Sequence, residues 1–290
     1  MSGYRNSPGP LCKGGTNSRL YQKWHVFLFM LFILLSLSSP AQTIVNNHYE
    51  FIGSYGVKAN AVSVDNFGNF YATGDNEVLK FDKEGHYLER FEEVKNGKIG
   101  SLDVSNPFKI LIYYPDFLNV VILDKFMTFL VSYSFFDLGY QNVSAVGSSA
   151  DGYFWFYDNL DYTLKKIDVT GNVQLRSQPV NQLIDKIINP TFILEKNGQV
   201  FVNDPAVGIL VFDNFGAYYK TIPILGLQKF HILQEQIVYY QEGKLRTYNP
   251  VTFDAKMISL PDSVGVLQAV IEKQHIAILK ADKIDFYRFE

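Results

Sequence analysis

The chain has 290 residues and a single cysteine, Cys12. It has no basic run or stripe, so nothing in it asks for nucleic acid as a partner. It has no G-x-S-x-G, H-E-x-x-H, P-loop or dinucleotide fingerprint, which removes the enzyme classes those motifs mark. Beyond the leader described below, its histidines (His48, His86, His231 and His275) are scattered without a pair at metal-ligand spacing, and read as lone surface or strand residues. It has no apolar run of the roughly 20 residues that a membrane-spanning helix requires. The longest, VFLFMLFILLSL, covers only the 12 residues Val26–Leu37.

That short run sits inside a distinct leader. Arg5, Lys13, Arg19 and Lys23 precede it without a single acid, and SSPAQT follows it. A basic region, a short apolar stretch and a small-x-small site describe a secretory signal peptide, with cleavage after Ala41. Residues 1–41 are therefore read as the signal peptide and 42–290 as one domain. Cleavage removes four positive charges, leaving 22 Lys and Arg against 29 Asp and Glu, a net of −7. It also removes Cys12, so the exported chain carries neither thiol nor disulfide and depends on a packed core in an oxidising compartment. The expected location is periplasmic or extracellular, with no transmembrane span after cleavage.

What the chain has in quantity is aromatic residues, 24 Phe and 19 Tyr. Flat and branched side chains favour the pleated surface of a sheet. FDKEGHYLERF at 81–91 and FDNFGAYYKTI at 212–222 are near copies, and the Asp within them marks a repeat. It recurs at Asp82, Asp124, Asp168 and Asp213 and as Asn249, at spacings of 42, 44, 45 and 36. Each marker ends a strand-like run (EVLKF, NVVIL, TLKKI, GILVF, KLRTY). Asx at such a point bonds its own backbone, and a Gly three residues on supplies positive φ, which is hairpin chemistry. A second polar turn lies upstream in SVDNFGNFYAT, SSADGYFWFYD and ILEKNGQVFVND. Four strands at a period of 40–45 residues are the signature of a propeller blade.

Six such units fall near 59–98, 99–140, 141–178, 190–224, 226–262 and 264–290. The last shows three strands, and VNNHYEFIGSYG at 45–56 reads as the strand that completes it, closing the ring and covering an edge. The expected fold is all-β, a six-bladed β-propeller behind a signal peptide. QPVNQLIDKIINP at 178–190 interrupts the pattern with apolar residues at helical spacing, which predicts a short helix between the third and fourth blades.

NFYATGDNEVLKFDKEGHYL (69–88) and QVFVNDPAVGILVFDNFGAYY (199–219) resemble NHL repeats of six-bladed, TolB-like propellers. The likeness lies in the apolar-aromatic strand, the loop Asp (Asp75, Asp204), the next strand and Phe-Asp-x-x-Gly. Glu77 and Gly208 stand near the place where the usual repeat has Arg. The resemblance implies the fold and no function, because propellers host enzymes, scaffolds and lectins alike.

Each unit also carries an acid after its second strand: Asp75, Asp116, Asp158, Asp204, Glu242 and Asp282. Gathered on one rim, these six would give a negative mouth for a basic partner, or oxygen ligands for Ca²⁺, the one cofactor they would suit. The plainer reading is that each caps the backbone of its own turn. Tyr113, Tyr114 and Phe117 beside Asp116 could stack on a partner. Trp155, which alternates faces with its strand neighbours, reads as core. The expected function is a non-catalytic propeller that binds a cell-envelope protein or a surface glycan. A metal-dependent propeller hydrolase or lactonase is the alternative, and it requires carboxylates converging in the central channel.

Overall fold

The computed structural model describes residues 43–45 and 48–289; the leader, and with it the expected cleavage site, lies outside the described residues. The chain from Thr43 onward builds six sheets, antiparallel except for one added strand in the fifth. In the first, Ala61–Val64, Phe70–Thr73, Glu77–Phe81 and Tyr87–Glu92 lie side by side in chain order. The next three sheets repeat that order. They start on Ser101–Asp103, Val143–Ser148 and Phe192–Lys196 and end on Phe129–Ser134, Val173–Arg176 and Tyr218–Ile222. The second and third strands of these blades are almost wholly buried, whereas the fourth strand of blade 1 is almost wholly exposed. The result is a six-bladed β-propeller.

Blade 6 takes Val266–Glu272, His275–Lys280 and Lys283–Phe289 from the C-terminal end, and Tyr49–Gly56 pairs antiparallel with the last of these as its outer strand. Thr43–Val45 does something else. It pairs parallel with Ala255–Ile258, adding a fifth strand to blade 5 beyond His231–Leu233, Gln236–Gln241 and Lys244–Tyr248. The single strand expected over 45–56 is thus two pieces that serve adjacent blades.

Alternation explains the aromatic content. Side chains of period two point to opposite faces, so one strand feeds two interfaces. Trp155 and Tyr157 join a cluster shared with blade 4, while Phe154 and Phe156 join one shared with blade 2. Phe70 packs toward blade 6 and Tyr71 toward blade 2. Each pair of neighbouring blades shares such a cluster, including blade 6 with blade 1 through Phe81 and Phe286. Trp155 is fully buried, as the alternation requires.

The helix between blades 3 and 4 is shorter than its apolar spacing suggested. It spans Val180–Ile184 and stops where Asp185 turns into the left-handed region at φ 53°. Val180 and Ile188 reach the core between the two blades, whereas Ile187 is exposed. The periodic pattern reflects two separate anchors rather than one continuous face.

The inner strands approach closely at Gly147. A Cβ there would lie 2.6 Å from the carbonyl oxygen of Ile193 in the next blade. Gly147→Ala is expected to lower stability by about 1–3 kcal/mol, the usual cost of overpacking. Gly53→Ala, whose Cβ would meet nothing within 4 Å, is expected to leave the urea midpoint unchanged. Equal midpoints for the two variants would contradict this packing.

Candidate functional site

Three strand connections recur in blades 1 to 5, and the first two of them in blade 6, whose outer strand comes from the other end of the chain. Inner turns join the first and second strands, middle turns the second and third, outer turns the third and fourth. In an antiparallel sheet the inner and outer turns lie at one end and the middle turns at the other.

Two inner turns and five outer turns are closed by Asx side chains. Asp65 Oδ1 accepts from the backbone N–H groups of Phe67 and Asn69, both at 2.9 Å. Asp124 does the same for Phe126 and Thr128, at 2.8 and 2.9 Å. Asp213 holds Phe215 and Ala217, at 2.9 and 2.8 Å. Asn106 Oδ1 accepts from Phe108 N at 3.0 Å, and Asn249 Oδ1 from Val251 N at 2.8 Å. The same bond closes the outer turns of blades 1 and 3 onto Glu84 and Thr170.

The geometry has a second effect. The residue two places after the Asx is held at the tip of the turn, and in five turns that residue is apolar. Phe67 is 57% exposed, Phe108 56%, Phe126 59%, Phe215 70% and Val251 72%. Phe67 and Phe108 meet edge to face with ring centroids 5.7 Å apart. They border a groove of about 410 Å³ running over the inner turns of blades 1 to 4. Glu195 lies in the groove wall and accepts from Ser149 Oγ at 2.7 Å and from Trp155 Nε1.

Beneath this groove the inner strands enclose a channel cavity of only about 70 Å³, room for a few waters and far below an ordinary ligand pocket. Val62, Leu102, Val104, Phe192 and Val270 make it largely apolar. Lys229 reaches across it from the approach to blade 5. Its Nζ donates to Ser63 Oγ of blade 1 at 2.6 Å and to the Leu102 carbonyl of blade 2 at 2.8 Å. Burial pushes its pKa down to about 8, with Asp103 partly opposing. His231 donates from Nε2 to the Ile271 carbonyl of blade 6 at 2.7 Å, and burial pushes it down to about 4 despite that bond. Asp103 is occupied by the N–H groups of Ser105 and Ser148, at 2.9 and 2.8 Å. Burial raises the pKa of Glu272, and Asp65 adds to the shift.

The six acids singled out by spacing occupy the middle turns, at the other end of the blades, and none lines the channel cavity. Asp158 is buried; its Oδ1 accepts from Leu160 N at 3.0 Å and its Oδ2 from Lys165 Nζ at 2.6 Å. Asp204, also buried, accepts from the N–H groups of Asn189, Ala206 and Val207 at 2.7, 2.7 and 3.0 Å. Asp75 pairs with Lys98 at 2.8 Å and accepts from Asn60 Nδ2 at 2.6 Å, and these partners hold its carboxyl below the usual range. Asp116 accepts from Lys98 N at 3.1 Å, and exposed Glu242 pairs with Arg246 at 2.8 Å. Asp282 is exposed, and its carbonyl accepts from Val57 N at 3.0 Å. Among the described residues no three His, Cys, Asp or Glu side chains come together as a metal-ligand group. Tyr113 and Tyr114 are buried, and Phe117 alone of that trio is exposed.

The exposed phenylalanines escaped the sequence reading although their signal is there: Asx-x-Phe in DNF at 65–67 and 213–215, NPF at 106–108 and DKF at 124–126.

No protein-family model and no curated protein sequence matches the chain. Solved structures do. Virginiamycin B lyase from Staphylococcus aureus, crystallised in an inactive form with quinupristin, superposes with a TM-score of 0.55 at 11% identity, covering 83% of this chain and 99% of the other. The Pan2 WD40 domain of Neurospora crassa gives 0.53 at 12% identity over 86% and 97% of the two chains. A streptogramin B lyase gives 0.52 at 14% identity over 84% and 98%. These likenesses show the propeller fold.

The channel histidine makes stability depend on pH. The folded-state pKa of His231 lies near 4 against 6.5 when unfolded. Below 6.5 the unfolded chain takes up the proton first, so stability falls as pH falls and the full loss is reached below 4. The loss is on the order of 3 kcal/mol. His231→Gln, which can still donate to Ile271, is expected to flatten this component of the unfolding free energy measured between those two pH values. An unchanged slope would contradict the assignment.

Proposed function

We propose that the chain is an exported β-propeller that binds a protein partner of the cell envelope, and that the partner docks on the face bearing the inner and outer turns. The leader at 1–41 supports export of the propeller at 42–290. Among the described residues no helix is long and apolar enough to cross a membrane.

The observation that carries the docking face is the set of exposed apolar residues held on Asx turns. Phe67, Phe108, Phe126, Phe215 and Val251 sit at the same end of the blades, each fixed by a short backbone bond. Exposed aromatic groups on rigid supports lose little entropy on binding and make anchors for a protein surface. A protein fits better than a glycan here. The Phe67 and Phe108 rings meet at an interplanar angle of 82°, so they present no flat platform for a sugar.

The acid rim at Asp75, Asp116, Asp158, Asp204, Glu242 and Asp282 is the weaker candidate, because most of those carboxylates are already engaged with neighbours in the fold. Ca²⁺ at that rim has no three-acid group to hold it among the described residues. The metal-dependent hydrolase alternative meets the same difficulty in a channel of about 70 Å³.

Combined Phe67→Ala, Phe108→Ala, Phe126→Ala and Phe215→Ala should leave the thermal midpoint intact, since all four side chains are exposed. The same change should cut the partner recovered by in-cell cross-linking by about tenfold or more, the scale of losing one or two interface anchors. Undiminished recovery, linked through peptides of the middle turns instead, would overturn the proposal.

A further inference from the structure

Lys229, partly buried, reaches into an apolar channel with its Nζ over the Phe192 ring, 5.4 Å from the centroid, and with no carboxylate within ion-pair distance among the described residues. An ammonium drawn into an apolar channel without a carboxylate is costly, and such a group is retained either as a strut or for its chemistry. Its surroundings match the second use. Ser63 Oγ is 2.6 Å from Nζ, and the Leu102 carbonyl, 2.8 Å away, holds the amine in place. A nucleophile, a base and a third group orienting the base are what an activated serine requires. The contacts suit both protonation states. The ammonium donates to both oxygens; the neutral amine accepts from the Ser63 hydroxyl and still donates to Leu102. Ser63 and Lys229 line the same cavity, and so does Gln268, whose Oε1 accepts from Val62 N at 2.8 Å, leaving its amide nitrogen to donate.

We propose that Ser63 and Lys229 form a nucleophile–base pair that takes small acyl groups from activated esters and passes them to water. This pair lies below the docking face, and the proposal does not rest on that face's having a partner. Ser63 Oγ bonds to the acyl carbon as Lys229 Nζ takes the hydroxyl proton. The ester C–O bond then breaks and the leaving alkoxide receives that proton. Water, deprotonated by Lys229, attacks the acyl-serine and releases the acid and the free hydroxyl. No oxidant or cofactor enters the balance. The small cavity restricts the acyl group to a short one, and Gln268, which lines it with its Oε1 engaged by Val62 N, supplies an amide donor for the developing oxyanion in this proposal.

The titratable groups around the pair are Asp65, Asp103, Lys196, His231, Glu272 and the tyrosines Tyr239 and Tyr240. Asp65 is bonded to Asn69 and Tyr71, Asp103 to two backbone N–H groups, and His231 to Ile271. Lys229 is therefore the group expected to control the pH response above neutrality.

The test treats the purified full chain with methanesulfonyl fluoride, a probe small enough for the channel, and maps adducts by peptide mass spectrometry. One methanesulfonyl group is expected on Ser63. Its rate should rise about a hundredfold from pH 6 to pH 9, as the neutral fraction of an amine titrating at about 8 does. Ser63→Ala should lose the adduct. Lys229→Met should slow labelling by about tenfold or more, with an unchanged near-ultraviolet circular dichroism spectrum as the check on folding. Should Lys229→Met not fold, the wild-type pH profile and the Ser63→Ala control still decide. No adduct at Ser63, or labelling that ignores pH, would make Lys229 a strut between blades and overturn the proposal.

Discussion

The bond between an Asx side-chain oxygen and the backbone N–H two residues later is the interaction on which the remaining structure depends. It closes the outer turns at Asp82, Asp124, Asp168, Asp213 and Asn249 and the inner turns at Asp65 and Asn106. A closed turn fixes the register of the two strands it joins. Register in turn decides which residues face the preceding blade and which face the next. Trp155 and Tyr157 can fill one interface, and Phe154 and Phe156 the other, only because the hairpins around them do not slip.

The same turn also separates two roles for aromatic residues. Those on strands are consumed by packing between blades and contribute stability. Those at the second position after an Asx are lifted out of the sheet, where more than half of each side chain stays exposed. Phe67, Phe108, Phe126 and Phe215 stand there, on supports as rigid as the hairpins themselves. Below them the channel is narrow and bridged by Lys229, which ties blade 5 to blades 1 and 2 through Ser63 and Leu102. A wide surface above and a tight channel below favour recognition of a large partner over enclosure of a large ligand.

Much of the architecture was legible in the sequence. Asx markers about 40 residues apart located the outer turns, and alternation placed Trp155 in the core. The helix at Val180–Ile184 was found but overextended, because apolar spacing cannot show that Asp185 leaves the helical region. The division of the N-terminal segment between blades 5 and 6 was not legible, since strand propensity does not name a partner. The six acids do share one rim, as their spacing suggested, but spacing names no ligand for it. Even spacing drew attention to the six acids, yet even spacing is what a repeated structural turn produces, and Asp158 and Asp204 are buried in such turns. Lys229 and Ser63 lie 166 residues apart and meet only because the ring closes.

The most direct test of the docking face is site-specific photo-cross-linking in living cells. A photoreactive phenylalanine analogue at position 67 or 108 should capture one defined protein, and the same analogue at position 75 or 116, on the opposite rim, should not. Capture from 75 and 116 but not from 67 and 108 would contradict the account and return the acid rim to first place.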